Sequence, residues 1–259
     1  MTAHPWFLGV STPRILAHRG LVTPHEAAHG VAENSFAAVA AAHSAGADYV
    51  ESDCHLTADG VVVLFHDDDL SRVTGDPRPI ANVRSGELEA LMADRGGLLT
   101  LAQALDAFPT VRFNLDVKAP GAAEPVGRIV ARHGARVLLT SFSDDRRRTA
   151  LAAAEAEGRG IRPATSAGSA TIARLLAALA VRSRRGVRRA LDGVDALQVP
   201  ERQRRLRIVS PRLLDAAHAH GVEVHVWTVN DPADMTRLVE WGVDGVVTDR
   251  ADVALRALR

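Results

Sequence analysis

The chain's 259 residues are enough for one large domain or two small ones, and a hydrophobic content of 47% lets it bury a sizeable core. Basic and acidic residues balance at 31 each, so a net charge of zero supplies no global field for nucleic acid or an anionic membrane. The single cysteine, Cys54, excludes an internal disulfide framework and a cysteine-based zinc cluster.

Met1 to Arg14 has no basic start, and its apolar run, Pro5 to Val10, is too short for a signal-peptide core. No stretch approaches transmembrane length. The expectation is a soluble, cytoplasmic protein with no integral membrane association.

In chain order, Arg14 to Ala17 reads as a short strand that stops at His18-Arg19-Gly20. A loop with Pro24, His25, His29 and Gly30 follows. Asn34 or Ser35 is the expected N-cap of an Ala-rich helix ending at Gly46. Tyr49 to Cys54 and Val61 to His66 are extended runs around an Asp59-Gly60 turn. Residues 67–97 are polar and irregular, with a helical stretch at Ser85 to Met92, and read as an insertion after the third extended run.

Helices and strands then alternate. Strands are expected at Val111 to Val117, Val137 to Ser141, Arg162 to Thr165, Ala196 to Val199, Val222 to Val229 and Gly245 to Thr248. Arg184 to Arg189 is a basic run with no interleaved aromatic residue, so it reads as a solvated helix end rather than a nucleic-acid site.

This alternation means βα units around a parallel sheet. Unit count and length fit a single α/β domain over residues 1–259, a TIM-type (β/α)₈ barrel. The runner-up, an open doubly wound sheet, lacks a Gly-rich dinucleotide fingerprint. Nine extended runs are one too many. The two runs around Asp59-Gly60 have no helix between them, so the second βα unit must be irregular, with the chain leaving the strand after Asp53 as coil.

A barrel carries its chemistry at the C-terminal ends of its strands. There the sequence places His18 and Arg19, Glu51 and Asp53, His66, Asp116 and Lys118, Ser141, Gln198, Trp227 and Asn230, and Thr248 and Asp249. Glu51 and Asp53, two apart in a strand, share a face, and converging carboxylates are costly unless a cation neutralises them. Oxygen-only ligation by Glu51, Asp53 and Asp116 suits one divalent cation, Mg²⁺ or Ca²⁺. Arg19 and Lys118 can neutralise a phosphate, and His18 and His66 can supply a base and an acid near neutral pH. Together these point to metal-assisted cleavage of a phosphodiester.

These pieces resemble the glycerophosphodiester phosphodiesterase family. The resemblance rests on His18-Arg19-Gly20, Glu33-Asn34, Glu51-Ser52-Asp53, Thr57-Ala58-Asp59-Gly60 and His66-Asp67. Downstream it continues in Asp116-Val117-Lys118, Ser141-Phe142, Trp227-Thr228-Val229-Asn230 and the 243–249 segment. It implies a TIM-type barrel with a small insertion after the third strand, His18 and His66 as the acid–base pair, and Arg19 and Lys118 on phosphate. It further implies Glu51, Asp53 and Asp116 on Mg²⁺ or Ca²⁺, and hydrolysis of a small glycerophosphodiester to sn-glycerol 3-phosphate and an alcohol, within lipid and glycerol metabolism.

Two positions depart from the family's pattern: Asp116 stands where Glu is usual, and Ala32 where Pro precedes Glu-Asn. Related phospholipase D toxins carry Asp at the place of Asp116 and form cyclic phosphates, which leaves the product open. Trp227 is a candidate pocket wall or core residue. Glu33 is expected to orient Arg19, and Thr248-Asp249 to pack and cap the rim. His55 is expected beyond the strand's end. His25, His29, His43, His133, His218 and His220 are expected at the surface. The competing functions are a lysophospholipase D, which needs an apolar trough at the rim, and a barrel that binds a phosphodiester without turnover.

Overall fold

Alternation along each strand decides what faces the helices and what faces inward. In the strand Arg112–Val117, Phe113, Leu115 and Val117 join the large apolar cluster under the helices, while Asn114 and Asp116 line an internal cavity. The same parity holds in Tyr49–Leu56, where Val50 and Cys54 pack outward and Glu51 and Asp53 reach the cavity.

The computed structural model describes residues 4–158 and 160–258; residues 1–3, which begin the N-terminal stretch, and residues 159 and 259 lie outside that description. The strands are β1 (Arg14–His18), β2 (Tyr49–Leu56), β3 (Val62–Leu64), β4 (Arg112–Val117), β5 (Val137–Thr140), β6 (Ala164–Thr165), β7 (Ala196–Pro200), β8 (Arg202–Gln203), β9 (Leu206–Arg207), β10 (Glu223–Trp227) and β11 (Gly245–Thr248). Eight of them run parallel in the order β6-β5-β4-β2-β1-β11-β10-β7. A parallel bridge between Ser166 and Ala196 joins the two ends of that path, making a nearly closed TIM-type barrel.

Helices are α1 (Pro24–Ala28), α2 (Phe36–Ser44), α3 (Ser71–Thr74), α4 (Ser85–Met92), α5 (Leu101–Ala107), α6 (Ala123–Val130), α7 (Asp144–Ala156), α8 (Ser169–Ala180), α9 (Arg184–Leu191), α10 (Pro211–His218), α11 (Pro232–Glu240) and α12 (Ala251–Ala257). None is long and apolar enough to cross a membrane.

The irregular second unit differs from the expected coil. β2 continues to Leu56 and pairs antiparallel with β3, with Cys54 opposite Leu64 and Leu56 opposite Val62. The ninth extended run is therefore β3, an antiparallel ribbon partner off the barrel path. The ribbon persists because Thr57 Oγ1 accepts from Val61 N at 3.0 Å and donates to Asp59 Oδ1 at 2.7 Å, closing the turn. The following segment has its own apolar cluster, in which Val63 and Phe65 pack with Leu70, Ile80, Val83, Leu88 and Met92.

Residues 4–14 close the opposite end of the barrel. Trp6 is fully buried, its indole N–H donating to the Phe113 carbonyl at 3.2 Å. Arg14 forks onto Glu223 at 2.6 Å and donates to the Tyr49 hydroxyl at 2.8 Å.

On the functional side, Asp144 at the start of α7 fixes the start of α8. Its carboxylate accepts from Gly168 N at 3.1 Å, Thr171 N at 2.9 Å and Thr171 Oγ1 at 2.9 Å. Burial pushes Asp144 up, but these hydrogen bonds outweigh it and hold it below the usual carboxylate value. A depressed folded pKa contributes stability above the unfolded value that is lost as pH falls through the folded one. Asp144→Ala is expected to cost about 1–3 kcal/mol at neutral pH. The gap to wild type should narrow below about pH 4, and urea melts across that range measure both.

Candidate active site

The C-terminal ends of the strands surround a cavity of about 500 Å³. Asn230, Thr248 and Asp249 are not among its lining residues, while His18, Arg19, Glu51, Asp53, His66, Asp116, Lys118 and Trp227 all line it, with Ser141 and Gln198. Register explains this. His18 pairs with Glu51 across β1–β2, and Asp53 with Asp116 across β2–β4.

The floor of the cavity is anionic and buried. Glu51, Asp53 and Asp116 are each less than a tenth exposed. Lys118 Nζ sits between two of them, 3.1 Å from Asp53 Oδ1 and 2.8 Å from Asp116 Oδ2. Arg19 Nε lies 3.4 Å from Asp53 Oδ2. Glu51 Oε2 and Asp116 Oδ1 are buried with no hydrogen-bond partner. Burial first, then the charges of Asp53 and Asp116, push Glu51 well above the usual carboxylate range. Burial also raises Asp116, against the pull of Lys118. Burial pulls the Lys118 ammonium down, but Asp53 and Asp116 outweigh it and hold it above its ordinary value.

Among the described residues, no three His, Cys, Asp or Glu side chains stand as a ready-made metal cage. The donor set nonetheless fits a hard cation. Three carboxylates face two side-chain cations, and two of their oxygens are orphaned, each an uncompensated cost in a buried site.

Each cavity histidine is anchored through Nδ1 by a carboxylate. His18 Nδ1 is 2.6 Å from Asp249 Oδ1, and His66 Nδ1 is 2.6 Å from Asp67 Oδ1. An ionised carboxylate only accepts, so Nδ1 is a donor in both rings and Nε2 is the ring nitrogen left unanchored by a carboxylate. His18 Nε2 lies 3.9 Å from Glu51 Oε2.

The anchors are themselves held. Asn230 Nδ2 donates to Asp249 Oδ2 at 2.7 Å, and Asn230 Oδ1 accepts from Asp249 N at 2.9 Å and Thr248 Oγ1 at 3.0 Å. Arg72 donates to Asp67 at 2.6 Å and to Glu33 at 2.6 Å, and Glu33 also accepts from Arg19 at 2.6 Å. One ionic chain thus runs from His66 to Arg19. The hydrogen bond from His18 leads in holding Asp249 below the usual carboxylate value, while in Asp67 burial opposes but does not outweigh Arg72 and His66.

Several of these partners were not foreseen. Asp249 contacts His18 rather than only capping the rim. The signal was topological, because closing a barrel sets the end of its last strand beside the end of its first, and β11 pairs with β1 up to Thr248 opposite Ala17. His55 is still within β2, buried, with Nε2 3.2 Å from the His66 carbonyl oxygen, since the strand does not end where the sequence suggested. Asn34 is not the helix cap, a role Ser35 takes. It is buried, donating to Asp53 Oδ2 at 3.2 Å and accepting from Ser52 Oγ at 2.5 Å. Trp227 belongs to the wall, its ring 5.8 Å from that of Phe142. Ile172, Leu176, Leu206 and Ile208 extend this side into an apolar half-cavity.

A nearly closed barrel with an ionic rim defines a class of enzyme site at strand C-termini, and comparison with known proteins gives the class its name. Residues 18–253 match the family model of the glycerophosphoryl diester phosphodiesterase family. A probable glycerophosphodiester phosphodiesterase 2 of Mycobacterium tuberculosis is 35% identical over 245 residues, covering 92% of this chain and 88% of that protein. The crystal structure of a glycerophosphodiester phosphodiesterase from Thermotoga maritima superposes with a TM-score of 0.69 at 27% identity, over 95% of this chain and 97% of that one. A phosphodiesterase of Oleispira antarctica, solved in complex with the product sn-glycerol-3-phosphate, shares the fold with a TM-score of 0.71 at 23% identity over 95% and 97% of the two chains. The chain belongs to the glycerophosphoryl diester phosphodiesterase family and is a phosphoric diester hydrolase.

Because Asp249 touches His18 through Nδ1, Asp249→Ala frees the ring to rotate and to change tautomer. Turnover of a glycerophosphodiester is expected to fall on the order of 10²-fold with KM little changed. Steady-state kinetics with circular dichroism to verify folding check this.

Proposed function

We propose that the protein hydrolyses a small glycerophosphodiester to sn-glycerol 3-phosphate and an alcohol, with His18 and His66 exchanging the protons. The observation that carries it is the matched pair of Nδ1-anchored histidines on one cavity whose floor holds Arg19, Lys118 and three buried carboxylates. In the reaction, one histidine takes the proton of the attacking oxygen at Nε2 as the new P–O bond forms. The other, entering the step as an imidazolium protonated at both ring nitrogens, gives its Nε2 proton to the departing alkoxide as the old P–O bond breaks and keeps its Nδ1 proton, donated to its carboxylate. Arg19 and Lys118 bind the phosphate oxygens, Arg19 as a planar fork and Lys118 as a point charge. Trp227 packs against the organic part of the substrate. Glu51, Asp53 and Asp116 would hold one divalent cation, Mg²⁺ or Ca²⁺, which when bound stabilises negative charge on the phosphoryl group.

A second reading has its own support. The half-cavity of Phe142, Ile172, Leu176, Leu206 and Ile208 is the apolar trough that a diester retaining one acyl chain requires, as in a lysophospholipase D. It lies on the side of α8 and the β8–β9 hairpin.

The test is product release from glycerophosphocholine and from lysophosphatidylcholine, with Mg²⁺, Ca²⁺ or Mn²⁺ added separately and with EDTA. Metal-dependent release is expected, lost on the order of 10²-fold or more in His18→Ala and His66→Ala. Phosphorus NMR distinguishes glycerol 3-phosphate from a cyclic phosphate, the product raised by Asp116 in place of Glu. Full activity in EDTA, or in both histidine variants, would overturn the proposed chemistry.

A further inference from the structure

Net charge is zero for the whole chain, but it is not evenly spread. The β8–β9 hairpin carries Arg202, Arg204, Arg205 and Arg207 within six residues, all exposed. Among the described residues no ion pair neutralises Arg202, Arg204 or Arg205. The nearest acid in sequence, Glu201, is held by Arg237 at 2.9 Å. Arg207 stacks over Trp241, with its guanidinium carbon 5.0 Å from the ring centroid.

The hairpin is also a lip of the catalytic cavity, which Gln203 and Leu206 line. Leu206, set among the arginines, is 59% exposed, and Phe142, also on the cavity, is 58% exposed. Leu206 therefore offers apolar surface both to the cavity and to whatever lies outside it. A cluster of guanidinium groups around an exposed aliphatic side chain matches the chemistry of an anionic lipid interface. The charges meet the headgroups there and the apolar side chain enters the acyl boundary. A single-stranded nucleic acid fits less well. Leu206 has no ring on which a base can stack, and the Phe142 ring is already engaged by Trp227 and, at 5.5 Å, by the Lys118 ammonium.

We propose that the hairpin at 202–207 is a docking surface for an anionic lipid bilayer, seating the mouth of the cavity against the membrane. A diester partitioned in the bilayer then reaches the apolar half-cavity without passing through bulk water. The docking rests on the rim itself and does not depend on which diester the site cleaves.

The experiment is cosedimentation of the full chain with vesicles of phosphatidylcholine alone and of phosphatidylcholine containing about one-third phosphatidylglycerol. Binding is expected only to the anionic vesicles and should weaken as salt is raised. Near an anionic surface each arginine contributes roughly fivefold, so Arg204→Glu with Arg205→Glu is expected to weaken binding on the order of thirtyfold or more. The same double variant should keep wild-type turnover of water-soluble glycerophosphocholine, because neither side chain lines the cavity. Equal binding to neutral vesicles, no binding to anionic ones, or unchanged binding by the double variant would each overturn the docking. So would tighter binding to a single-stranded oligonucleotide than to the anionic vesicles. Since binding is read without turnover, a failure of the proposed hydrolysis leaves this result interpretable on its own.

Discussion

Three carboxylates taken out of water at one end of a barrel are the constraint on which this site depends. Glu51, Asp53 and Asp116 are each buried, and among the described residues the Lys and Arg groups within 4 Å of them are the Lys118 ammonium and the Arg19 guanidinium. Removing one partner of a buried ion pair typically costs about 3–5 kcal/mol because it strands the other charge. Lys118 is therefore as much a structural counter-charge for Asp53 and Asp116 as a candidate phosphate ligand. Glu51 has no such partner on Oε2, and its raised pKa expresses the same deficit. A fold that tolerates this must gain elsewhere. The outward faces of the same strands supply a continuous apolar layer beneath the helices.

That deficit gives the rest of the rim its logic. In the reaction we propose, the substrate's phosphate adds negative charge to this anionic floor, so cations must be placed and held before substrate arrives. Arg19 is held by Glu33, Glu33 is shared with Arg72, and Arg72 fixes Asp67, which orients His66. On the other side Asn230 fixes Asp249, which orients His18. The two histidines are thus prepared alike by separate scaffolds, one on the segment after β3 and one at the end of the last barrel strand. In the reaction we propose, such preorganisation lowers the reorganisation needed when the two histidines exchange protons.

Much of this was legible in the sequence. Strand–helix alternation and chain length give the barrel, and parity within β2 puts Glu51 and Asp53 on one face, with Asp116 at a strand's C-terminal end beside them. What stayed hidden depends on contacts distant in sequence. Asp249 sits 231 positions from His18, and only closure of the barrel joins them. Two runs with no crossover helix between them imply coil after Asp53 and place His55 beyond the strand, whereas Thr57 closes the Asp59-Gly60 turn and the runs pair as an antiparallel ribbon. The arginine hairpin was invisible to a net charge of zero, since a sum over the chain carries no information about clustering.

Whether a divalent cation completes the anionic floor is the question that tests the account most directly. The measurement is isothermal titration calorimetry of Ca²⁺ and of Mg²⁺ into metal-free protein, run beside Glu51→Gln. The account predicts one site with saturable heat in the wild type and its loss or strong weakening in the variant. A wild type that takes up neither ion, or a Glu51→Gln variant that binds as the wild type does, would contradict it.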